Sequence, residues 1–212
     1  MDASAKTQSE EFLPTRRSLL TRLKNWDDQE GWREFFDTYG RLMFSVARKA
    51  GFSPTESQDI VQETVISIAK KMQGFRYDPQ AGSFKAWLML VVRSRIADAL
   101  RRRQRRVQTV ALGVDTEGEV LVDSPTEPAA DQFERVWEEE WRIHMLQRAL
   151  ERVKERVSAR QFQIFDLYVN RGLPLGKITA ALGVNAAQVY LAKHRISRLI
   201  RKEIQRIEAS AV

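Results

Sequence analysis

A segment near the carboxyl end of the chain brings cationic, amide and aromatic side chains together at helical spacing. Residues 175–189 have the pattern of a short helix, a turn at Gly183 and a second helix capped by Asn185. A helix in the major groove of DNA needs base-directed residues near its N-terminus and cations along the phosphates. The segment therefore predicts a helix-turn-helix that binds duplex DNA. Its candidate DNA contacts are Asn185, Gln188, Tyr190, Lys193, His194, Arg195 and Arg198.

The alternative for this segment is a helical hairpin that packs internally and carries a solvated basic face. Residues 142–212 hold 14 Lys and Arg against 5 Asp and Glu, which gives a net charge of +9. Such a concentration of positive charge attracts nucleic acid at long range. The charge of the block therefore favours DNA contact.

Side chains suited to catalysis or metal binding are scarce. The chain has no cysteine and only two histidines, His144 and His194. This excludes a thiol nucleophile and a Cys-ligated zinc site and argues against a multi-histidine metal site. The densest carboxylates, at 138–140, are consecutive on a predicted helix and diverge, whereas acid–base pairs must converge. We therefore predict no catalytic residues, metal or cofactor, and an enzyme is the least favoured alternative.

The charge of the 212-residue chain is unevenly distributed. Residues 1–107 hold 20 Lys and Arg against 13 Asp and Glu (+7), whereas residues 108–141 hold 1 against 10 (−9). Two basic blocks therefore flank an acidic connector. The longest apolar run, residues 87–92, is too short to span a bilayer, and the first residues lack an apolar signal segment. We expect a cytoplasmic protein without membrane insertion.

Apolar residues at intervals of three and four predict helices along most of the chain. One such buried face includes Phe35, Phe36 and Tyr39, and Ser53 with Glu56 forms a capping-box pattern before another helix. Sustained alternation with period two is not found, which predicts an all-α fold of two small helical domains. The predicted segments are a disordered tail at 1–17, a helical domain at 18–106, a flexible acidic linker at 107–132 and a helix-turn-helix domain at 133–206.

Several motifs, in order and spacing, resemble the extracytoplasmic-function (ECF) sigma factors of bacterial RNA polymerase, in the sigma-70 superfamily. The resemblance covers about residues 30–106, similar to the sigma-2 domain, and 142–204, similar to the sigma-4 domain. The motifs are Asp59-Ile-Val-Gln62-Glu63, Gly82-Ser83-Phe84-Lys85-Ala86-Trp87-Leu88, Arg93-Ser94-Arg95-Ile96-Ala97-Asp98, Ser158-Ala-Arg160-Gln161, Ile178 to Gly183 and His194-Arg195.

The resemblance implies a promoter-specificity subunit that binds core RNA polymerase, through the clamp helices of the largest subunit and through the flap. Asp59, Gln62 and Glu63 would dock on the clamp helices, and the alternative for these residues is a solvated helix face. The helix at 84–106 and its preceding loop would hold the opened minus-ten element by stacking and by backbone cations. The candidate minus-ten contacts are Phe75, Tyr77, Ser83, Phe84, Lys85, Arg93, Arg95, Arg101 and Arg102.

The final helix would recognise the minus-35 element as duplex DNA, and the acidic connector would pass through the polymerase channel or act only as a solubilising linker. Ser94 replaces the Asn common in the family, and residues 190–193 depart from its small or basic pattern, so no promoter sequence is inherited. An anti-sigma factor is a further implied partner. The rival function is a helix-turn-helix repressor or activator that is not a polymerase subunit.

Overall fold

The computed structural model describes residues 17–72, 74, 83–112 and 130–210. In these ranges the elements are helical without strands, which confirms the all-α prediction. The helices are α1 (Arg17–Arg22), α2 (Gln29–Lys49), α3 (Pro54–Met72), α4 (Phe84–Leu112), α5 (Ala130–Arg156), α6 (Ala159–Phe165), α7 (Leu175–Leu182) and α8 (Ala186–Ser210), and a π-helical turn (Asp166–Asn170) follows α6.

The chain divides into two compact units. The N-terminal unit ends at Trp141, and the C-terminal unit comprises residues 142–210, so the division falls inside α5. The sequence predicted that the C-terminal domain begins at 133. The difference arises because the first part of α5 carries apolar and acidic side chains that contact the N-terminal unit.

The core of the N-terminal unit lies between α2, α3 and α4. Phe35, Met43, Ile68 and Leu88 are completely buried there. Each such side chain stabilises the fold by about 1.5–3 kcal/mol relative to its exposed state. The buried faces follow the three- and four-residue spacing of the sequence, and they hold α3 and α4 side by side.

Caps fix where the helices of this unit begin. The Ser53 backbone N–H donates to Glu56 Oε2 at 2.8 Å, and the Glu56 N–H donates to Ser53 Oγ at 3.2 Å. This confirms the predicted capping box, and the hydrogen bond from the Ser53 backbone lowers the pKa of Glu56. At α2, Asp28 accepts the Gly31 N–H at 2.8 Å.

Helix α4 is longer than the sequence predicted. It was expected to end near Arg106, and it continues to Leu112. The intervening residues contain no glycine or proline, and the first helix-breaking residue is Gly113. Helix α5 likewise begins within the predicted linker. The remainder of that linker, 113–129, lies outside the described residues, as does the tail at 1–16.

The first part of α5 is joined to the N-terminal unit by aromatic and ionic contacts. Trp141 stacks on Tyr39 with ring centroids 6.3 Å apart. Lys49 Nζ lies 2.8 Å from Glu140 Oε1 and 3.1 Å from Glu139 Oε2. Carboxylates that the sequence assigned to an acidic connector therefore pair with lysines of the basic N-terminal block.

The C-terminal unit has a small apolar core that includes Ile164, Ile178, Val184 and Val189. The Ser158 hydroxyl accepts the Gln161 N–H at 3.3 Å and caps α6. An additional anchor lies in α8, where the 4%-exposed Glu203 carboxylate accepts hydrogen bonds from two α5 arginines. Arg152 donates at 2.9 Å and Arg156 at 3.0 Å.

Candidate nucleic-acid interface

Gly183 makes the turn between α7 and α8. Gly183 ends α7 with a φ of +61°, in the left-handed region that glycine adopts without steric cost. Val184 and Val189 then pack against Ile178 and fix α8 across α7. The predicted turn at Gly183 is therefore present, and it presents the N-terminal half of α8 outward.

A reciprocal cap defines the start of α8. The Gln188 N–H donates to Asn185 Oδ1 at 2.9 Å, and the Asn185 N–H donates to Gln188 Oε1 at 2.9 Å. Asn185 was predicted as the cap, but Gln188 was predicted only as a DNA contact. The N-x-x-Q spacing is that of a capping box and was the signal for this second role.

The face of α8 that was predicted to bind DNA is exposed. Val189, Ala192 and Ile196 point into the core. The candidate residues on the other sides of the helix are solvent-exposed, and they are Asn185, Gln188, Tyr190, Lys193, His194, Arg195 and Arg198.

One edge of this face is organised by Tyr168 of the π-helical turn. The Tyr168 and Tyr190 rings meet edge to face, with centroids 5.9 Å apart. A hydrogen bond between the two side chains raises the pKa of Tyr190. Lys193 Nζ lies 5.6 Å from the centroid of the Tyr168 ring. Tyr168 was not predicted as a site residue, because its contact joins elements that are distant in sequence.

The predicted minus-ten residues divide into several groups. Phe75 and Tyr77 lie outside the described residues. Phe84 is only 1% exposed and lies 5.2 Å from the Tyr39 ring, so the prediction that it stacks on a base does not fit this structure. Ser83 accepts the Ala86 N–H at 3.2 Å and therefore serves as a cap of α4.

Cations along α4 are paired with acidic side chains of the same unit. Lys85 Nζ lies 2.6 Å from Glu138 Oε2. Arg95 and Arg101 both reach Asp98, at 2.9 and 3.3 Å. Arg93 is half-buried and also has an interaction within the described chain. Phosphate binding by Lys85 would therefore require displacement of a carboxylate.

The three predicted polymerase-docking residues lie on α3, but only two of them are exposed. Asp59 and Gln62 face solvent, whereas Glu63 is half-buried and pairs with Arg102 of α4 at 2.8 Å. The sequence assigned Glu63 and Arg102 to different partners, and in this structure they contact each other. Surface ion pairs contribute about 0–1 kcal/mol, so either residue can exchange its partner at small cost.

Gln62 borders an apolar groove of about 710 Å³ between α2 and α3. Exposed apolar surface with a polar rim is typical of protein interfaces. The prediction that Phe36 belongs to the buried face is wrong, because this residue is half-exposed and lines the groove. Adjacent Phe35 occupies the core, and successive residues of a helix point about 100° apart, so the Phe36 ring is turned from the core towards the groove. Further lining residues are Gly40, Phe44, Val61, Val65 and Ile66.

Among the described residues, no three His, Asp or Glu side chains are grouped so that they could ligate a metal ion. None of the helices in the described part of the chain combines the length and apolar character needed to cross a lipid bilayer.

A family model described as Sigma-70 region 2 matches residues 35–106. No curated protein matches the chain. Solved structures that match include the structure of CnrH in complex with the cytosolic domain of CnrY, at 18% identity over 93% of this chain and 99% of the matched chain. The TM-score of 0.35 is too low to establish a shared arrangement. The residues matched by the family model begin in α2, include all of α3 and end in α4. Residues 35–106, about a third of the chain, are therefore similar to region 2 of the sigma-70 proteins.

Proposed function

We propose that this protein is a cytoplasmic ECF sigma factor that binds core RNA polymerase and directs it to promoters with defined minus-ten and minus-35 elements. The observation that carries the proposal is the region 2 match over residues 35–106. Sigma-70 proteins are not a class of enzymes, and the proposed role is recognition without catalysis. The anti-sigma partner implied by the sequence resemblance stays a prediction.

The surface of α2 and α3 is the proposed site for the clamp helices of the polymerase. Asp59 and Gln62 provide exposed polar groups beside the apolar groove that Phe36 and Ile66 line. A partner helix that filled the groove would bury apolar area, and the polar rim would fix its register. Glu63 would join the interface after release from Arg102.

Two further surfaces are proposed to bind promoter DNA. Helix α4 supplies Lys85, Arg93, Arg95, Arg101 and Arg102 for the minus-ten strand, and Ser83 lies at its first turn. Helix α8 supplies a basic outward face for the minus-35 duplex. Cation–phosphate contacts at both surfaces would make promoter binding dependent on salt concentration.

The test is the affinity of the full chain for core polymerase, measured at moderate salt. Asp59→Lys reverses an exposed charge at the proposed docking surface, and Glu155→Lys makes the same charge change on an exposed residue of α5 in the C-terminal unit. We expect Asp59→Lys to weaken core binding by about tenfold, equivalent to about 1.4 kcal/mol, because it places like charge or a clash at the interface. Glu155→Lys should leave it unchanged. Equal affinities of the two variants would contradict the docking surface, and no binding by the wild type would contradict the sigma-factor proposal.

The rival function, a repressor or activator independent of polymerase, draws on the same helix-turn-helix unit. It requires tight and specific duplex binding by the chain alone. The sigma-factor proposal instead expects weak binding by the free chain and sequence-specific initiation only in the presence of core enzyme. A gel-shift comparison with and without core polymerase separates the two.

A further inference from the structure

A strongly exposed side chain of α8 is apolar. Leu191 is 69% exposed, the highest value among the large exposed hydrophobic residues of the described chain. Ala187 lies one turn before it and is also exposed, so the two share a face. This face is opposite Val189 and Ile196, which anchor α8 in the core. Neither side chain is needed for packing there, and the pair forms an apolar tip on a DNA-facing helix.

Polar groups around this apolar tip already have partners within the chain. Gln188 uses its carbonyl oxygen in the reciprocal cap with Asn185. Tyr190, 51% exposed, is held at the edge of the face by Tyr168. At the first two turns of α8, Leu191 is therefore the large side chain that projects outward without such a tether.

The same helix is strongly basic, which favours a polyanion as its partner. Residues 185–202 contain five Lys and Arg and no Asp or Glu. Arg195 and Arg198 are exposed in the turns that follow Leu191. An apolar side chain followed by cations along one helix is complementary to a polyanion that carries apolar groups on its surface. In the major groove of DNA, thymine alone presents such a group, the C5-methyl, between two phosphate backbones.

We infer that Leu191, supported by Ala187, contacts thymine methyl groups in the major groove and makes thymine a specificity determinant of the minus-35 element. The inference rests on the proposed function, because that function places α8 in duplex DNA. Arg195 and Arg198 would hold the flanking phosphates and set the depth of the helix in the groove. Recognition by α8 would then depend on apolar contact at its N-terminal turns and on charge further along.

The test removes the methyl group from the DNA and the side chain from the protein. The full chain with core polymerase first selects minus-35 sequences from a randomised promoter library in transcription assays. Each thymine of the selected element is then replaced by deoxyuridine, which pairs identically but lacks the methyl. We expect initiation to fall about fourfold at one or two positions, the loss that corresponds to one buried methyl group.

On the unmodified promoter, the variant Leu191→Ala should initiate more weakly than the wild type. Replacement of thymine by deoxyuridine at those positions should cause no further loss in this variant. Leu146→Ala is the matched control, because Leu146 is 48% exposed on α5 of the same unit, away from the helix-turn-helix. It should keep the full sensitivity to deoxyuridine. Both leucines are exposed, so neither substitution should prevent folding.

The inference would be overturned by a selected element without thymine, or by equal deoxyuridine sensitivity in the wild type and Leu191→Ala. Failure of the proposed function would look different, with no promoter-specific transcript from any library member. In that case, DNA duplexes are selected for binding to the full chain without polymerase. The deoxyuridine sensitivity of binding is then compared between the wild type and Leu191→Ala. A Leu191-dependent loss there would uphold the methyl contact, and its absence would refute it.

Discussion

At the scale of single residues, several side chains chosen for their chemistry also hold the fold together. Ser83 caps α4, Phe84 lies in the core, and Gln188 completes the cap of α8. The residue types and their helical faces were predictable from the sequence. The group that each side chain contacts was harder to predict. A capping side chain or a buried ring uses the same atoms that would contact DNA.

Gln188 offers a way to separate the structural role from DNA recognition. Gln188→Ala removes the reciprocal cap and should lower the free energy of unfolding by about 0.5–1 kcal/mol. Gln188→Glu retains the accepting oxygen at the cap and should keep wild-type stability. The variant loses the amide donor and adds negative charge beside DNA, so it should still reduce minus-35-dependent initiation.

The measurements are chemical denaturation of the full chain and transcription with core polymerase. A Gln188→Glu protein as active as the wild type would show that Gln188 acts only as a cap. A Gln188→Ala protein as stable as the wild type would show that the cap contributes nothing.

At the scale of secondary structure, local signals were the most informative. Ser53 and Ser158 mark helix starts in the sequence, and both act as caps in the structure. Contacts between distant elements carried no local signal. Two contacts of this kind join α5 to the N-terminal unit, namely the pairing of Lys85 with Glu138 and the stacking of Tyr39 on Trp141. Helical periodicity shows which residues of a helix share an apolar face, but it does not show which other helix that face will contact.

The junction of α1 and α2 should weaken at acidic pH. Arg22 donates to both oxygens of Asp28, at 2.7 and 3.0 Å, and this pairing, together with the Gly31 N–H, lowers the pKa of Asp28 from 3.8 to about 2. A lowered pKa in the folded state means that the carboxylate stabilises the fold above pH 3.8. The contribution is lost as the pH falls from 3.8 towards 2.

The comparison of wild type with Asp28→Asn isolates this group from other carboxylates. Asparagine can still accept the Gly31 N–H but cannot form the ion pair. We expect the wild type to be the more stable protein at neutral pH, and the difference to shrink as the pH is lowered through this window, in urea denaturation followed by circular dichroism. A difference that does not change with pH would contradict the assignment.

At the scale of the whole molecule, the arrangement of charge is more informative than the net value of +7. Two basic blocks flank a segment of −9 in the sequence, and part of that acidic segment, at 138–140, pairs with Lys49 and Lys85 of the N-terminal unit. Under the proposed function, DNA phosphates must replace Glu138 at Lys85. Glu138 would then compete with DNA for Lys85, and we expect the free protein to bind DNA weakly for this reason.

Two mutations in one protein can test whether core binding and minus-35 recognition depend on different units. Arg195 and Arg198, reversed together to Glu, should abolish minus-35-dependent initiation while core binding is retained, since both lie on the exposed face of α8. Core pull-down and transcription are measured on the same preparation. Parallel loss of both activities would indicate that these arginines support the fold.

The central claim is that this chain gives core RNA polymerase its promoter specificity. In vitro transcription with core polymerase and a library of randomised promoters tests it most directly. We predict that the full chain yields transcripts from a subset of the library that shares a minus-ten and a minus-35 sequence, whereas core enzyme alone or chain alone yields none. Transcripts that show no shared sequence, or none that depend on the added chain, would contradict the account.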